Sequence, residues 1–397
     1  MWALIALGTL IRIAIGFGSD GFAFERHGYE LLRTALRSHP LHVYQLVNHG
    51  TLHYPYPPGY LPWIWLSGTI APTGWHPFRS LVALPGVLAD GALAWVVQDE
   101  LRRRGASSSA RLGATALIAL GPSFAVISGY HGLFDSLAIL PALMAILLWT
   151  RMASPERRWW RRALVCGGLI GIGGTIKTVP LLMLLALLPW TRSPREAAVL
   201  VGSALGLVAV ALAPFYAVDH HVLHDLSRYG GIPGLGGLSL AIQPDLARTW
   251  LIAPSKASGL TVWLAHHQKL LNGAVVGGLA AFLWRTRPDP VKGAAFVWLA
   301  TWALGAGFFF QYLVWGLPFL ILAGWLQATL ALEAALLLPT LIFYETPWHA
   351  EGIVIVFAGV MLAVWAAWLG GLAALSRAFW RAAVRGPRAR SPWAIHR

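Results

Sequence analysis

The chain has 397 residues, of which 57% are hydrophobic and 12% are charged, and its mean hydropathy is +0.61. Because soluble domains carry about 25% charged residues, this composition excludes an ordinary soluble protein. The net charge of +14 lies mostly in loops between apolar runs, which is typical of a polytopic α-helical membrane protein and not of a nucleic-acid-binding protein. The single cysteine, Cys166, excludes an internal disulfide.

Apolar runs along the chain predict an all-α fold of about twelve transmembrane helices, in one domain that covers residues 1–397. The predicted spans are 1–17, 79–99, 110–128, 136–150, 163–177, 179–190, 197–217, 268–284, 292–310, 312–330, 331–346 and 352–374. Runs 163–177 and 179–190 are each shorter than a full span of about 20 residues, so we expect a short hairpin that is broken around residues 173–178. The first run has no basic residues ahead of it and no small-residue cleavage site after it, which predicts a retained anchor.

Basic residues set the orientation of these spans. Twenty of the 30 Lys and Arg residues fall in five clusters, at 102–111, 151–162, 192–195, 285–292 and in the C-terminal tail 377–397. The positive-inside rule places all five clusters in the cytoplasm. Segments 18–78, 129–135 and 218–267 then face outward, and they hold most of the histidine and tyrosine residues. Long loops hold most non-membrane residues in any case, which accounts for part of that bias.

The long outward loops are expected to be structured. Residues 25–37 alternate apolar and charged positions with a helical period, which predicts an amphipathic helix at the membrane interface. Residues 59–72 are apolar, but a span there would place the basic clusters outside, so we expect an interfacial or re-entrant segment. The second long loop, 218–267, is too apolar for a disordered segment and is expected to fold against the first loop.

Two charged residues, Arg12 and Asp90, lie inside predicted spans. Ionisable groups within a membrane usually face the interior of the helix bundle and pair with one another. We therefore expect Arg12 and Asp90 to approach each other across the first two spans. Such a pair would be structural; alternatively, Arg12 orients the loop that begins near Asp20, eight residues further on.

Five segments carry a resemblance to a known family. In chain order they read GSDGFAFERHGYELLRTALRSHPLHVY, HYPYPPGYLPW, GYHGLFDSLAI, GGTIKTVPLLMLLALLP and FFFQYLVWGLPF. Their order, spacing and predicted topology resemble the C-type membrane glycosyltransferases over roughly the first 320 residues. Within that superfamily they are similar to the polyprenyl-phosphate-mannose-dependent mannosyltransferases of bacteria and to the dolichyl-phosphate-glucose-dependent enzymes of N-glycan assembly. Past residue 330 the match is hydrophobicity alone.

The resemblance implies an activity and a location. The protein would transfer a sugar, with mannose as the first candidate, from a polyprenyl-phosphate-linked donor to a hydroxyl group of a lipid or glycan acceptor. The transfer would invert the configuration of the anomeric carbon. The site would face outward from a bacterial cytoplasmic membrane, with membrane lipids and no nucleic acid as partners. Some relatives use a divalent cation beside the base and others do not, so a cation stays open. The histidine groups at 39–42, 49–53 and 220–224 lack the pattern of a dedicated zinc site.

Asp20 is the candidate catalytic base, because relatives place an acidic residue just outside the first span. The chemistry is also reasonable in itself, since an acceptor hydroxyl must lose a proton as it attacks the anomeric carbon. A lipid phosphate leaves as a stabilised anion, so a second carboxylic acid of the glycosidase kind is not required. The alternative is that Asp20 is a solvated residue in a Gly-Ser-Asp-Gly turn.

Lys177 is the candidate ligand of the donor phosphate. A lysine in a short Gly-rich hairpin between apolar segments is costly unless it reaches water or meets an anion. A lipid phosphate at the outer interface would be that anion, and relatives have a lysine at this place. The alternative is that Lys177 extends to ordinary lipid headgroups.

Four further polar residues resemble family positions near these two. His131 and Arg26 would contact the donor phosphate, whereas His27 and Asp135 would bind substrate. Each has a structural alternative: interface packing for His131, the polar face of the amphipathic helix for Arg26, and a helix N-cap for Asp135. Asp135 is also a second carboxylate that, with Asp20, could bind a divalent cation, so the question of a metal site stays open.

Three aromatic and amide residues complete the predicted substrate-binding set. Tyr56 precedes two prolines and either stacks on a sugar or belongs to a rigid turn that directs the next helix. Gln311 and Tyr312 mark an outer turn whose side chains would line the donor site, with packing between spans as the alternative for Tyr312.

Two other classes of protein are considered for this sequence. A transporter or lipid flippase also accommodates twelve spans, but it predicts inverted repeats and paired broken helices, and the two halves of this chain show no repeat. A membrane scaffold gives no reason for Lys177. Both alternatives would lack transferase activity.

Overall fold

The computed structural model describes residues 1–48, 53–152, 159–228, 230–231, 234–243, 259–345 and 351–385. The described residues contain helices and no β-strand, which agrees with the all-α prediction. Parts of the second outward loop, at 229, 232–233 and 244–258, and most of the basic tail, at 386–397, lie outside the described residues.

The helices divide into a bundle and a set of shorter elements at its outward end. The longer helices are α1 Trp2–Gly18, α2 Ala23–Ser38, α4 Leu61–Ile70, α5 Trp75–Arg103, α6 Ser108–Leu120, α7 Asp135–Arg151, α8 Trp159–Ile176, α9 Pro194–Val218, α13 Gln268–Thr286, α14 Pro290–Leu304, α15 Gln311–Leu322, α16 Leu326–Glu345 and α17 Glu351–Val384. The shorter ones are α3 Val43–Val47, α10 Val222–Ser227, α11 Gly237–Ile242 and α12 Gly259–His266. A π-helix, Ala125–His131, follows α6, and a helical segment, Val179–Trp190, follows α8.

Most predicted spans coincide with a helical segment, but the predicted span 292–310 extends past the end of α14, and 312–330 covers α15 and the start of α16. Among the described residues, five segments are long and apolar enough to cross a membrane alone. These five are Trp75–Arg103, Ser108–His131, Pro194–Val218, Leu326–Tyr344 and Ile355–Val384. Shorter apolar helices such as Trp2–Gly18 and Val179–Trp190 lie beside them. The protein is therefore a helical membrane protein, and the full number of twelve crossings stays a prediction.

The helix that begins with α6 breaks at Pro122, and buried charged side chains satisfy the freed backbone. Proline has no N–H, so the carbonyl of Ile118 loses its helical donor. Arg12 replaces it, donating to the carbonyl oxygens of Ile118 at 2.8 Å and Ala119 at 2.5 Å. The N–H of Ser123 in turn donates to Oε2 of the buried Glu333 at 3.1 Å. A break of this kind is tolerated inside a membrane because neighbouring side chains satisfy its polar groups.

Arg12 and Asp90 form the predicted ion pair, with 3.0 Å between Nε and Oδ2 and both side chains buried. The prediction of their approach is confirmed. Asp90 also accepts hydrogen bonds from the hydroxyls of Ser128, in the π-helix, and Ser136, in α7. One polar network thus joins α1, α5, the broken helix and α7 inside the bundle, and it holds the π-helix against its neighbours.

Side chains from the predicted basic clusters meet at one end of the bundle. Glu100 at the end of α5 pairs with Arg104 at 2.7 Å and with Arg151 at the end of α7. Arg162 pairs with the buried Glu196 at 2.6 Å, which joins the starts of α8 and α9. The predicted outward segments lie at the opposite ends of the same helices. This separation is the one that the positive-inside rule requires.

The first outward loop packs into a second cluster of buried side chains, shared with the adjoining helices. Residues 23–38 form α2, and its buried apolar residues belong to this cluster, with aromatic and aliphatic side chains from the loop and from α5, α7, α8, α9 and α10. This cluster includes Tyr29, Leu32, Leu36, Tyr44, Tyr54, Tyr60 and Phe78. The apolar face of α2 therefore contacts protein, in contrast to the lipid contact expected of an interfacial helix. Helix α4 has ten residues and rises about 15 Å, too little to cross a membrane.

The two outward loops contact each other through a buried hydrogen bond. Nδ2 of Asn48, at the end of α3, donates to Oδ2 of Asp225 in α10 at 3.0 Å. The Asn48 carbonyl oxygen also accepts the N–H of Tyr54 at 2.9 Å, so the same side chain closes the first loop on itself. The expected packing of the second loop on the first is present at this contact.

Candidate active site

Asp20 lies two residues beyond the end of α1, and 70% of its side chain is exposed. Its Oδ1 is 3.1 Å from Nη1 of Arg26 and 3.8 Å from Nε2 of His76. Its backbone carbonyl accepts the indole N–H of Trp75 at 2.8 Å, and the Arg26 guanidinium lies over the same indole at 5.4 Å. The predicted base is thus an accessible carboxylate whose backbone and side chain are both held in place.

His131 is buried at the end of the π-helix and has a polar group at each ring nitrogen. Nδ1 lies 2.8 Å from the hydroxyl of Tyr344, and Nε2 lies 3.4 Å from Oε1 of Glu25 in α2. Aromatic rings surround the imidazole, with Phe22 at 5.0 Å and Phe309 at 5.9 Å between ring centroids. The packing alternative for His131 is therefore present, whereas its predicted contact with the donor phosphate stays a prediction.

Lys177 lies at the break between α8 and Val179–Trp190, and Asp135 neutralises it. Nζ is 2.8 Å from both carboxylate oxygens, and the two side chains are 1% and 0% exposed. Nζ also lies 4.4 Å from the ring centre of Tyr56 and 5.1 Å from that of Phe134. The indole N–H of Trp315 donates to the same carboxylate at 2.5 Å. In this structure Lys177 therefore already has an anionic partner within the protein.

The N-cap alternative for Asp135 is wrong. Asp135 is the first residue of α7, and the cap position is Phe134, which makes no capping hydrogen bond. The carboxylate of Asp135 is directed to Lys177 and Trp315 instead. The carboxylate therefore joins the start of α7 to the break after α8 and to α15, and a role for Asp135 in substrate binding stays a prediction.

Tyr56, Gln311 and Tyr312, which the sequence predicts as substrate-binding residues, lie around this ion pair. Tyr56 is buried beside Lys177 and forms a side-chain hydrogen bond with Gln311. Burial raises the pKa of Tyr56 well above its ordinary value, so the hydroxyl stays protonated. Tyr312 stacks on Trp315 with ring centroids 4.1 Å apart. These contacts give all three residues packing roles. Gln311 is connected to Lys177 indirectly, because it is hydrogen-bonded to Tyr56 and the Tyr56 ring contacts Lys177.

A cavity of about 250 Å³ adjoins the ion pair at the end of the bundle that is predicted to face outward. Its lining is part polar and part aromatic, and backbone segments of glycine residues complete its wall. The side chains include Thr178, Leu182, Asn272, Thr301, Tyr312 and Trp315. Trp315 therefore has one edge on the Asp135 carboxylate and contributes to the cavity wall. A concave site with aromatic faces and hydroxyl groups suits a small polar ligand.

The predicted residues thus form two groups that meet at the turn 132–134. Asp20 and Arg26 lie in one, near His131 and Glu25, whereas Asp135, Lys177, Tyr56, Gln311 and Tyr312 lie in the other. His27 belongs to neither; it is exposed and its ring packs on His53 at 5.1 Å. Burial, with a smaller effect of His27, lowers the pKa of His53.

Several residues of the site carry no signal in the sequence. Arg79 donates to carbonyl oxygens of Gly16 and Gly129, and Glu25, Tyr344 and Trp315 contact predicted residues directly. Arg79 stands at the first position of a predicted span, where an arginine is ordinary. Among the described residues, no group of three or more His, Cys, Asp or Glu side chains is placed to hold a metal ion.

A sequence model of glycosyltransferase family 87 matches residues 54–304, which is more than half of the chain. The chain belongs to glycosyltransferase family 87. The match includes Tyr56, His131, Asp135 and Lys177, whereas Asp20 and Gln311 lie outside it. A search of curated proteins finds no match to the chain. Membership favours an integral membrane glycosyltransferase, and it confirms the resemblance to the C type over the transporter and scaffold alternatives.

Proposed function

We propose that this family 87 protein transfers a sugar, most readily mannose, from a polyprenyl-phosphate donor to a hydroxyl group of a lipid or glycan acceptor. The site would face outward from a bacterial cytoplasmic membrane. The observation that carries the proposal is the carboxylate of Asp20, which is 70% exposed and lies at the end of the bundle opposite the basic clusters. Asp20 is the base in this proposal.

The proposed reaction is a single displacement. The Asp20 carboxylate takes the proton of the acceptor hydroxyl while the hydroxyl oxygen bonds to the anomeric carbon. The bond from the anomeric carbon to the phosphate oxygen breaks, and the polyprenyl phosphate leaves as an anion. Attack opposite the leaving group inverts the anomeric configuration. Arg26, 3.1 Å from Asp20, orients the carboxylate and adds positive charge where the phosphate arrives.

Lys177 is the proposed ligand of the donor phosphate, with support from His131 and Arg26. The Lys177 ammonium is already neutralised by Asp135, so a donor phosphate would compete with that carboxylate for it. The adjoining cavity, with the stacked pair Tyr312 and Trp315 in its wall, would receive the sugar ring. The Tyr56 ring lies against the lysine and its hydroxyl is hydrogen-bonded to Gln311. Asp135 or His27 would contact the acceptor or sugar.

The test is sugar transfer by membranes that contain equal amounts of wild type, Asp20→Asn or Glu30→Gln. Glu30 is the matched control, because it is the other carboxylate beside Arg26, with 3.5 Å between the charged atoms. Polyprenyl-phosphate-[14C]mannose is the donor, and a crude envelope lipid extract supplies acceptors. We expect transfer by wild type and Glu30→Gln and its loss in Asp20→Asn. Equal transfer by all three proteins would refute the role of Asp20, and transfer from a different sugar donor alone would refute mannose.

A further inference from the structure

Arg79 is a buried arginine at the outward end of α5 that binds two separate pieces of backbone. Its Nη1 donates to the carbonyl oxygen of Gly16 at 2.6 Å and lies 3.4 Å from that of Ser19. Its Nη2 donates to the carbonyl oxygen of Gly129 at 2.8 Å and also to that of Tyr130. One guanidinium thus holds the end of α1 and the end of the π-helix together.

The partners of Arg79 are carbonyl groups, not carboxylates. Within the ranges that the structure describes, no carboxylate forms an ion pair with Arg79. The last carbonyl groups of a helix lack donors within the helix and carry its partial negative charge. Two helix ends converge on Arg79. The guanidinium satisfies their carbonyl oxygens, and the partial negative charge of these carbonyls balances the buried positive charge of Arg79. A planar guanidinium donates in several fixed directions, whereas an ammonium group on the same stem would not reach both segments.

Arg79 contacts the immediate neighbours of the proposed base. Ser19 precedes Asp20, and Gly21 follows it with a positive φ of 71°. A Cβ added to Gly21 would overlap the guanidinium, so the backbone of Gly21 lies directly on Arg79. The backbone therefore reaches Arg79 on both sides of Asp20.

The other half of the contact adjoins His131. Tyr130, whose carbonyl accepts from Arg79, is the residue before His131, and His131 ends the π-helix. The hydrogen bonds of Arg79 thus link the chain segments of Asp20 and His131 directly. Asp20 is largely exposed and His131 is buried, so Arg79, together with the Trp75 N–H on the Asp20 carbonyl, joins the accessible carboxylate to the buried interior.

We propose that Arg79 is a positioning residue for the transfer: it fixes the Asp20 backbone relative to the His131 turn and does not itself touch substrate. This inference rests on the function proposed above for Asp20. We call the hydrogen bonds of Arg79 to these two backbone segments the clamp. Loss of the clamp would leave the base present and exposed but displaced from the attacking hydroxyl. A displacement of about 1 Å is enough to slow a reaction on the order of a hundredfold.

The test compares kcat and KM for Arg79→Lys and Gly21→Ala with wild type. Arg79→Lys keeps the positive charge but loses the planar guanidinium that donates to both segments. Gly21→Ala adds a Cβ that overlaps the guanidinium and displaces it. Arg33→Lys is the control, since Arg33 is an outward arginine with a single backbone bond, to Gly74 at 3.3 Å. We expect kcat to fall about a hundredfold in the first two variants, with little change in donor KM. The control should retain wild-type kcat.

A double variant separates positioning from stability. Asp20→Glu keeps a carboxylate but moves it, so its kcat should fall to a measurable level. Because Arg79 acts through Asp20, this fall and the fall caused by Arg79→Lys should not multiply when the two substitutions are combined. Losses that multiply in the double variant would overturn the proposal, as would wild-type kcat in Arg79→Lys.

Hydrogen–deuterium exchange tests the clamp without reference to activity. In Arg79→Lys, exchange should rise in peptides that cover residues 14–22 and 124–133 and stay unchanged in α9. Unchanged exchange in both peptides would overturn the clamp. If wild type transfers no sugar from any polyprenyl-phosphate donor, the proposed function fails, and the exchange result still decides whether Arg79 holds the two segments.

Discussion

The buried pair of Lys177 and Asp135 permits a quantitative prediction. Both carboxylate oxygens are 2.8 Å from the ammonium nitrogen, and both side chains are at most 1% exposed. Lys177→Met would leave the Asp135 charge buried, with the Trp315 N–H as its remaining side-chain donor among the described residues. Removing one partner of such a pair costs about 3–5 kcal/mol, because the other charge stays uncompensated. We expect that loss in the free energy of unfolding.

The double variant Lys177→Met with Asp135→Leu should be far more stable than the single variant. Replacing both charges with apolar side chains of similar size is often neutral, since no buried charge remains. The Trp315 N–H would then lack its acceptor, which costs about 1–3 kcal/mol. The double variant should therefore be about 1–3 kcal/mol less stable than wild type, and the two substitutions should be strongly non-additive.

Unfolding of purified protein in detergent, followed by near-UV circular dichroism, measures these stabilities. Sugar transfer by the same preparations then separates structure from chemistry. If Lys177 binds the donor phosphate, the double variant is folded but inactive. Unchanged stability in Lys177→Met would refute the argument from the buried charge. A fully active double variant would refute the role of Lys177 as phosphate ligand.

Four further substitutions at three positions test contacts inside the bundle and the turn after the π-helix by the same unfolding measurement. Arg12→Met leaves Asp90 buried without its cation and should cost about 3–5 kcal/mol; wild-type stability would contradict the pairing. Glu333→Leu removes the acceptor of the Ser123 N–H and should cost about 1–3 kcal/mol, whereas Glu333→Gln keeps an acceptor and should unfold like wild type. Gly132→Ala places a Cβ on a residue with a φ of 80° and should cost about 1–2 kcal/mol, so equal stability would show that this turn relaxes.

The sequence predicts the pairing of Arg12 with Asp90 because two lone charges within apolar spans have few other partners. The same reasoning selects Lys177 as a cation that needs an anion, but it assigns that anion to the donor lipid. The anion found in the structure is Asp135. Its contact depends on the register between α7 and α8, which hydrophobic patterning does not determine.

Backbone partners explain most of what the sequence does not reveal. Arg79 satisfies a carbonyl group that is free where α1 ends, and Glu333 satisfies an N–H group that is free where the helix breaks at Pro122. Pro122 signals that a helix is interrupted, but not that the chain continues as a π-helix to His131. Partners of such groups come from distant positions, so they emerge only when the helices are placed in three dimensions.

The apolar face of α2 shows a related limit. Its periodic pattern of Tyr29, Leu32 and Leu36 predicts an amphipathic helix, and a helix forms. The pattern does not distinguish lipid from protein as the apolar neighbour, because both exclude water. The aromatic residues of the first loop provide that neighbour here, and they hold α2 with Arg26 beside Asp20.

The central claim is a single displacement in which the exposed carboxylate of Asp20 acts as base. The most direct test is the anomeric configuration of the product, determined by NMR after transfer from a polyprenyl-phosphate sugar of known configuration by purified protein. The account predicts inversion in the wild type and no product with Asp20→Asn. Retention of configuration would contradict it, because one displacement opposite the leaving group can only invert the anomeric carbon.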